Sequence, residues 1–265
     1  MFKTLAGQER NGFMVDYLYD GSFEGFLTCI YEHYYNEKAS GIYRSDFYQA
    51  SILVPCRTVE TEENKATRVY DAIENKISRE DLKRAYRVFL SSAEEKENKL
   101  LQYLRLGFQK GSAVSLLHSN PIVFEVQQIE KKVTVEMHRL KGLVRFSALV
   151  KQAPGLVDRE ILYCKVEPDH DVLEIIADHF ADRLKSDPFI IHDKIRNKAV
   201  IAQAGSWYIA GFTDADLPGL GELERDYRDL WKRYFETIAI QERINPACQK
   251  RMMPVRYWKN LTEFR

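Results

Sequence analysis

The stretch "FIIHDKIRNKAVIAQAGSWYIAGF", Phe189 to Phe212, reads as three short strands joined by two tight turns. Apolar and β-branched residues fill "FIIHD", "KAVIAQ" and "SWYIAGF", while Lys194–Asn197 and Ala204-Gly205 supply polar and small residues where the chain must reverse. Upstream, "LVRFSALV" (143–150) and "EILYCKVE" (160–167) read as two more strands, turned at Pro154-Gly155. Consecutive strands with short turns argue for an antiparallel sheet packed by helices, hence an α+β class, and the middle of the chain is largely helical.

Between the two strand groups lies "EPDHDVLEIIADHFADRL", Glu167 to Leu184, with two of the six histidines beside acids. Leu173, Ile176, Ala177, Phe180 and Leu184 recur at helical spacing and make one apolar face. Asp171 and Glu174 have the spacing of a capping box, which predicts Asp171 as the N-cap. His170 and His179 are nine residues apart, about two and a half turns, so they point to different sides rather than chelating together. His179 and Arg183, at i and i+4, make an anion-binding pair instead. His192 and Asp193 are neighbours in a strand and face opposite sides of the sheet.

Working towards the N-terminus, residues 1–13 are polar and unpatterned and are expected to be a flexible tail. Residues 14–141 form an N-terminal strand and helix region, and residues 142–265 a C-terminal α+β region with a basic, aromatic tail, the whole making one compact unit. "VDYLY" is strand-like, and Ser22 is a candidate cap for a helix carrying Phe23, Phe26, Leu27, Ile30 and Tyr34. "ASILVPCRTV" reads as a strand pair or a bent strand around Pro55. Three helices follow, one capped by Ser78, and Asn120-Pro121 opens a fourth that Gly142 is placed to end. "GELERDYRDLWKRYFETIAI" (221–240) is a further helix.

Basic and acidic residues balance at 39 each, so no global positive field draws the chain to nucleic acid or membrane. Cys29, Cys56, Cys164 and Cys248 form no CxxC pair, which argues against a zinc ribbon and fits a reducing cytoplasm. No apolar run reaches membrane-spanning length and the start lacks a signal-peptide core, so the expected location is cytoplasmic, with no membrane partner. No nucleotide-binding, serine-hydrolase or zinc-protease motif is present, and no cofactor is expected.

Two local patches depart from neutrality. "HRLKGLVRF" (138–146) puts His138, Arg139, Lys141 and Arg145 at a helix-to-strand junction without an acid, with Arg145 read as a strand residue on the side of Leu143 and Ser147. "ERINPACQKRMMPVRYWKNLTEFR" (242–265) holds six basic residues against two acids, interleaved with Tyr257, Trp258 and Phe264. Cations for phosphates and rings for bases are the ingredients of single-strand binding. The competing reading is a structural clasp, in which Tyr257 and Trp258 staple the tail onto the core. The candidate nucleic-acid contacts are Arg139, Arg145, His179, Arg183, Arg243, Arg256, Trp258 and Lys259.

"YLYDGSFEGFLTCIYEHY", "HRLKGLVRFSAL", "EPDHDVLEIIADHFADRL", "PFIIHDKIRNKA" and "INPACQKRMMPVRYWKNLTEF" together resemble a bacterial family of uncharacterised proteins described as probable DNA metabolism proteins. The resemblance runs from Met14 onward. It implies a partner, a putative DNA modification or repair radical-SAM protein, and in some members a fused uracil-DNA-glycosylase-like domain. Because the chain ends directly after the tail motif, the unfused form without glycosylase activity is expected; it also lacks the CxxxCxxC of a radical-SAM enzyme. Two functions follow as expectations. One is a DNA-binding or accessory protein acting with the radical-SAM partner. The other is a metal-assisted hydrolase or nuclease in which His138, Glu167, His170, His192 and Asp193 converge. Convergence or dispersal of those side chains discriminates between them; the spacing itself predicts no bound metal.

Overall fold

"VDYLY" forms β1, Val15–Tyr19, in the computed structural model of the chain, which describes residues 14–50, 52–151, 159–216 and 245–264. The predicted N-terminal tail, the Pro154-Gly155 turn, the 221–240 helix and Arg243 lie outside the described residues. The chain divides into two compact units, Met1–Lys131 and Lys132–Arg265.

In the first unit β1 is the centre of a three-stranded sheet of order β2-β1-β3, where β2 is Ala39–Arg44 and β3 is Cys56–Thr58. Both pairings are parallel. A central parallel strand is covered on both faces, and four of the five residues of β1 are buried. Helix α1, Phe23–Tyr35, supplies the crossover between β1 and β2. It starts where the sequence places it: Ser22 Oγ accepts from the Gly25 amide at 2.9 Å. Among the described residues of "ASILVPCRTV" one strand forms and not a pair: Cys56–Thr58 extend as β3, fixed by the Asp16 amide donating to the Pro55 carbonyl at 2.9 Å.

Helices α2 (Glu63–Lys76), α3 (Arg79–Phe89) and α4 (Lys96–Lys110) surround this sheet, with the first part of α5 (Pro121–Leu143). Ser78 caps α3 at 3.0 Å, and Asn120 Oδ1 accepts from the Ile122 amide at 3.0 Å to start α5. Asp81 is fully buried, accepting from the hydroxyls of Tyr103 and Ser115 at 2.6 Å each and from Arg84. His33 is buried too, and its Nδ1 accepts from the Ala39 amide at 3.0 Å at the entry to β2.

In the second unit five strands run in the order β4-β5-β6-β7-β8: Ser147–Lys151, Arg159–Val166, Phe189–Asp193, Lys198–Gln203 and Ser206–Gly211. The two hairpins expected over 189–212 are present, with Asn197, Ala204 and Gly205 at positive φ in their turns. The sheet is nonetheless mixed. β5 and β6 pair in parallel because α6, Leu173–Arg183, carries the chain back across one face between them. The purely antiparallel expectation is corrected in both units for this reason: a helix between two neighbouring strands returns the chain to the same end of the sheet.

Leu173, Ile176, Ala177 and Phe180 of α6 pack with Cys164, Val166, Phe189, Ile191 and Val200, a cluster that Val133, Leu140 and Tyr257 join. Fully burying each large aliphatic or aromatic side chain contributes about 1.5–3 kcal/mol. Tyr163, Ile190, Ala199 and Phe212 form a smaller cluster with Leu149. Gly142 does not end α5 in a left-handed cap. The helix runs on to Leu143, and the glycines of positive φ among the described residues are Gly21, Gly111 and Gly205.

Glu136, 2 % exposed, sits on the buried side of α5. Its carboxylate accepts from the amides of Asp169 (3.0 Å) and His170 (2.8 Å), from Arg256 Nη2 (2.8 Å) and from the Tyr257 hydroxyl (2.6 Å). A single buried carboxylate thereby holds the loop before α6 and the C-terminal segment. That segment consists of a short helix, Pro246–Met252, capped by Asn245, and a 3-10 stretch, Val255–Asn260.

Two outcomes are expected. Burial, with Arg105 and Lys38 nearby, pushes the His33 pKa down from 6.5 to about 4. The unfolded chain then gains a proton below pH 6.5 that the folded chain refuses, so stability falls as pH drops from 6.5 and the loss is complete near 4. His33→Gln, whose amide oxygen can accept the same bond, removes a loss of about 3 kcal/mol across that window, read as the difference between two urea-unfolding series. Second, Glu136→Ala strands a buried tyrosine hydroxyl, a guanidinium and two amides, and costs about 3–5 kcal/mol. Tyr257→Phe alone costs about 1 kcal/mol, and the double variant costs less than the sum, because both changes remove one shared bond. Additive costs in a double-mutant cycle would show that the two groups do not bond.

Candidate nucleic-acid interface

The acidic run Glu167–Asp171 is spent on ion pairs. Glu167 pairs with Lys259, and Asp169 with Arg256. Asp171 Oδ2 pairs with Lys198 Nζ at 2.6 Å. Asp171 is therefore not the helix cap: α6 begins after Val172, and the Asp171 side chain reaches across to β7. Charge attraction to a lysine outweighs a capping bond worth about 1 kcal/mol. Arg196 donates to the carbonyls of Pro168 (3.2 Å) and Asp169 (2.8 Å) and to Asp193 Oδ2 (2.8 Å).

The catalytic candidates do not meet. Glu167 and His170 share the loop, with His170 held by its backbone amide. His138 is exposed and lies two residues beyond Glu136, about 200° round the helix. His192, 1 % exposed, lies with Tyr163 and Phe212: its Nδ1 is 3.0 Å from the Tyr163 hydroxyl, and burial pushes its pKa down. Asp193 is buried and accepts from the Ile195 and Arg196 amides as the capping residue of the turn. Among the described residues no group of three or more His, Cys, Asp or Glu side chains is placed to hold a metal ion.

The basic candidates divide into two sets. In the tail, Arg256 and Lys259 are committed to Glu136, Asp169 and Glu167. Trp258 stacks on Phe264 with ring centroids 4.4 Å apart and donates to the Met253 carbonyl at 2.9 Å. Tyr257 is buried. This segment is built as the clasp, since Arg256, Lys259 and the buried Tyr257 are bound to carboxylates of the preceding fold. Arg139 Nη2 donates to the Arg251 carbonyl at 3.2 Å and adds to that closure.

The second set faces a cleft of about 390 Å³ lined by Lys141, Gly142, Val144, Arg145, Phe146, Phe180, Arg183 and Leu184. Arg145 is not a strand residue. It lies between α5 and β4, and its Nη1 donates to the Gly142 and Val144 carbonyls at 2.9 and 3.2 Å, satisfying the end of the helix. Arg183 is exposed at the last turn of α6. His179 is one turn earlier on the same helix; burial and the positive charges of Lys141 and Arg183 push its pKa below the ordinary value. The ends of α5 and α6 each carry about half a negative charge from the helix dipole, roughly one in all. Three cations outweigh it, and the cleft is net positive by about two charges, with no carboxylate among the described residues that line it.

Two positions of this geometry are missing from the candidate residues chosen from the sequence. Lys141 stands within the basic junction but not among the candidate contacts taken from it. Glu136 carried a usable signal: it lies three residues after Val133 and four before Leu140, on the apolar stripe of α5 where a carboxylate must find donors. No helix among the described residues is long and apolar enough to cross a membrane.

No curated protein and no solved structure matches the chain. One family model does, over residues 94–263, more than half of the chain and including α4, α5, all five strands of the second sheet, α6 and the clasp. The chain belongs to the family described as Domain of unknown function (DUF4130).

Proposed function

We propose that this chain is an accessory protein of DNA modification or repair that contacts nucleic-acid phosphates through the Lys141–Arg183 cleft and acts beside a radical-SAM partner. The observation that carries the reading is the cleft itself, a concave surface whose described lining residues include three cations, two aromatic rings and no carboxylate, in a chain of zero net charge. A local field of this kind attracts a polyanion that the protein as a whole does not. Phe146 and Phe180, edge to face at 5.5 Å, give the cleft an apolar wall against which a sugar or base can lie. The radical-SAM partner rests on the sequence resemblance, and it would supply the reaction chemistry while this chain positions the strand.

Binding of single-stranded oligonucleotides is expected to weaken with salt by a log–log slope of about −0.7 per phosphate neutralised. Lys141→Ala with Arg183→Ala should flatten that slope by one to two phosphates, whereas Arg256→Ala should leave it unchanged, because Arg256 already pairs with Glu136 and Asp169. A bound phosphate offsets the two cations that depress His179, so its pKa rises on binding and the complex takes up a proton. Affinity therefore increases as pH falls through the region just above the free His179 pKa, and His179→Asn removes that increase. Fluorescence anisotropy over salt and pH series, with and without the radical-SAM protein, decides; a slope set by Arg256 instead would return the interface to the tail.

A further inference from the structure

A second cleft of about 600 Å³ opens in the first unit between α1, α2 and α4. Its lining includes Tyr31, Tyr34 and Tyr35 of α1, Arg68 and Lys76 of α2, and Phe108 of α4. Tyr31 and Tyr35 stack at 4.3 Å with 21° between their planes. The Arg68 guanidinium lies 5.1 Å from the Tyr31 centroid and 5.5 Å from that of Tyr35, and Arg68 Nη1 donates to the Tyr31 hydroxyl at 3.0 Å. Opposite in kind, Tyr34 meets Phe108 edge to face at 5.6 Å. Tyr34 and Tyr35 remain 48 % and 64 % exposed, which an apolar core would not leave.

This spacing follows from the sequence. Tyr31, Tyr34 and Tyr35 fall at i, i+3 and i+4, one face of α1, and Arg68, Ala72 and Asn75 fall at i, i+4 and i+7, one face of α2. The chemistry of the lining selects its occupant. An aromatic cage for an ammonium ion is ruled out, because Arg68 already covers the Tyr31 and Tyr35 faces and Lys76 adds a second positive charge. Among the described lining residues Asp71 is the one carboxylate, against the two cations Arg68 and Lys76. Flat π and guanidinium surfaces hold a planar heterocycle, Asn75 and Asp71 stand where its polar edge can be read, and Lys76 answers an attached phosphate. The volume falls within the range of small-molecule sites.

We infer that the cleft between α1 and α2 binds a nucleotide, its base against the Arg68 guanidinium and the exposed Tyr34 ring and its phosphate towards Lys76. The same chemistry is presented by a free nucleotide and by an unpaired nucleotide of a strand. Titration calorimetry of the full chain with thymidine and adenosine monophosphates, and anisotropy with a labelled oligothymidine, separate these sources. Saturation by the monophosphates assigns a free nucleotide; saturation by the strand alone assigns an unpaired one. In either case Tyr34→Ala and Arg68→Ala, both at exposed positions, should weaken binding about tenfold each, as loss of one stacking surface does. Lys76→Ala should reduce the salt dependence, and Lys83→Ala, at an exposed position of α3 paired with Glu80, should leave monophosphate binding unchanged. Strand binding lost in the Lys141 and Arg183 variants but untouched by Tyr34→Ala and Arg68→Ala would overturn this inference and keep the proposed function. Monophosphate binding that survives both sets of changes, or no saturable binding of any probe, would also overturn it.

Discussion

The second unit depends on how a buried carboxylate is satisfied. Glu136 is almost wholly out of water, a position that costs several kcal/mol unless every lone pair finds a donor. Two of its four donors are main-chain amides, those of Asp169 and His170. The loop is thus gripped by its backbone, and the side chains of Glu167, Asp169 and Asp171 are left to pair with Lys259, Arg256 and Lys198. That is why the most acidic, histidine-bearing stretch of the chain is an architectural joint. The other two donors, Arg256 and Tyr257, belong to the C-terminal segment, so the same carboxylate closes the unit.

Satisfying Glu136 also sorts the cations. A zero net charge conceals two populations: bases whose partners lie within the fold, such as Arg196, Lys198, Arg256 and Lys259, and bases that look into clefts, such as Lys141, Arg183 and Lys76. An exposed ion pair contributes little to stability, about 0–1 kcal/mol, yet it removes a cation from the field that an approaching polyanion meets. The clasp and the cleft are two results of one allocation. Cys29 and Cys164 follow a similar logic: burial pushes the first thiol up to about 12 and the second upwards as well, so both remain neutral packing groups.

Local chemistry was legible in the sequence wherever a short-range bond decides the backbone. Ser22, Ser78, Asn120 and Asn245 cap the helices they precede, and Lys194–Asn197 and Ala204-Gly205 turn the hairpins. Strand direction was not legible, because it depends on which face a connecting helix covers; α1 and α6 were both visible as helices while their consequence, parallel pairing, was not. Asp171 misled for a related reason: a capping box is a local pattern, and Lys198, distant in sequence, outcompeted it. Arg145 misled because α5 runs past Gly142, which moves Arg145 out of the strand and onto the helix carbonyls. The anion-binding pair His179 and Arg183 was read from spacing alone, and the structure adds what spacing omits, the Lys141 charge from another helix.

The two clefts differ in the force they offer, and that difference bears on what the chain can discriminate. The cleft of the second unit acts through Lys141 and Arg183, a contribution that counterions erode as salt rises and that carries no base information. The cleft of the first unit offers ring faces and a guanidinium layered on them, contacts that salt barely touches, beside the single charge of Lys76. The family match covers the charged cleft completely but, of the aromatic cleft, only Phe108; the tyrosines and Arg68 lie before its start. Of the two clefts, the family model therefore describes the charged one, whereas the aromatic one is built mainly on helices α1 and α2, which precede the matched residues.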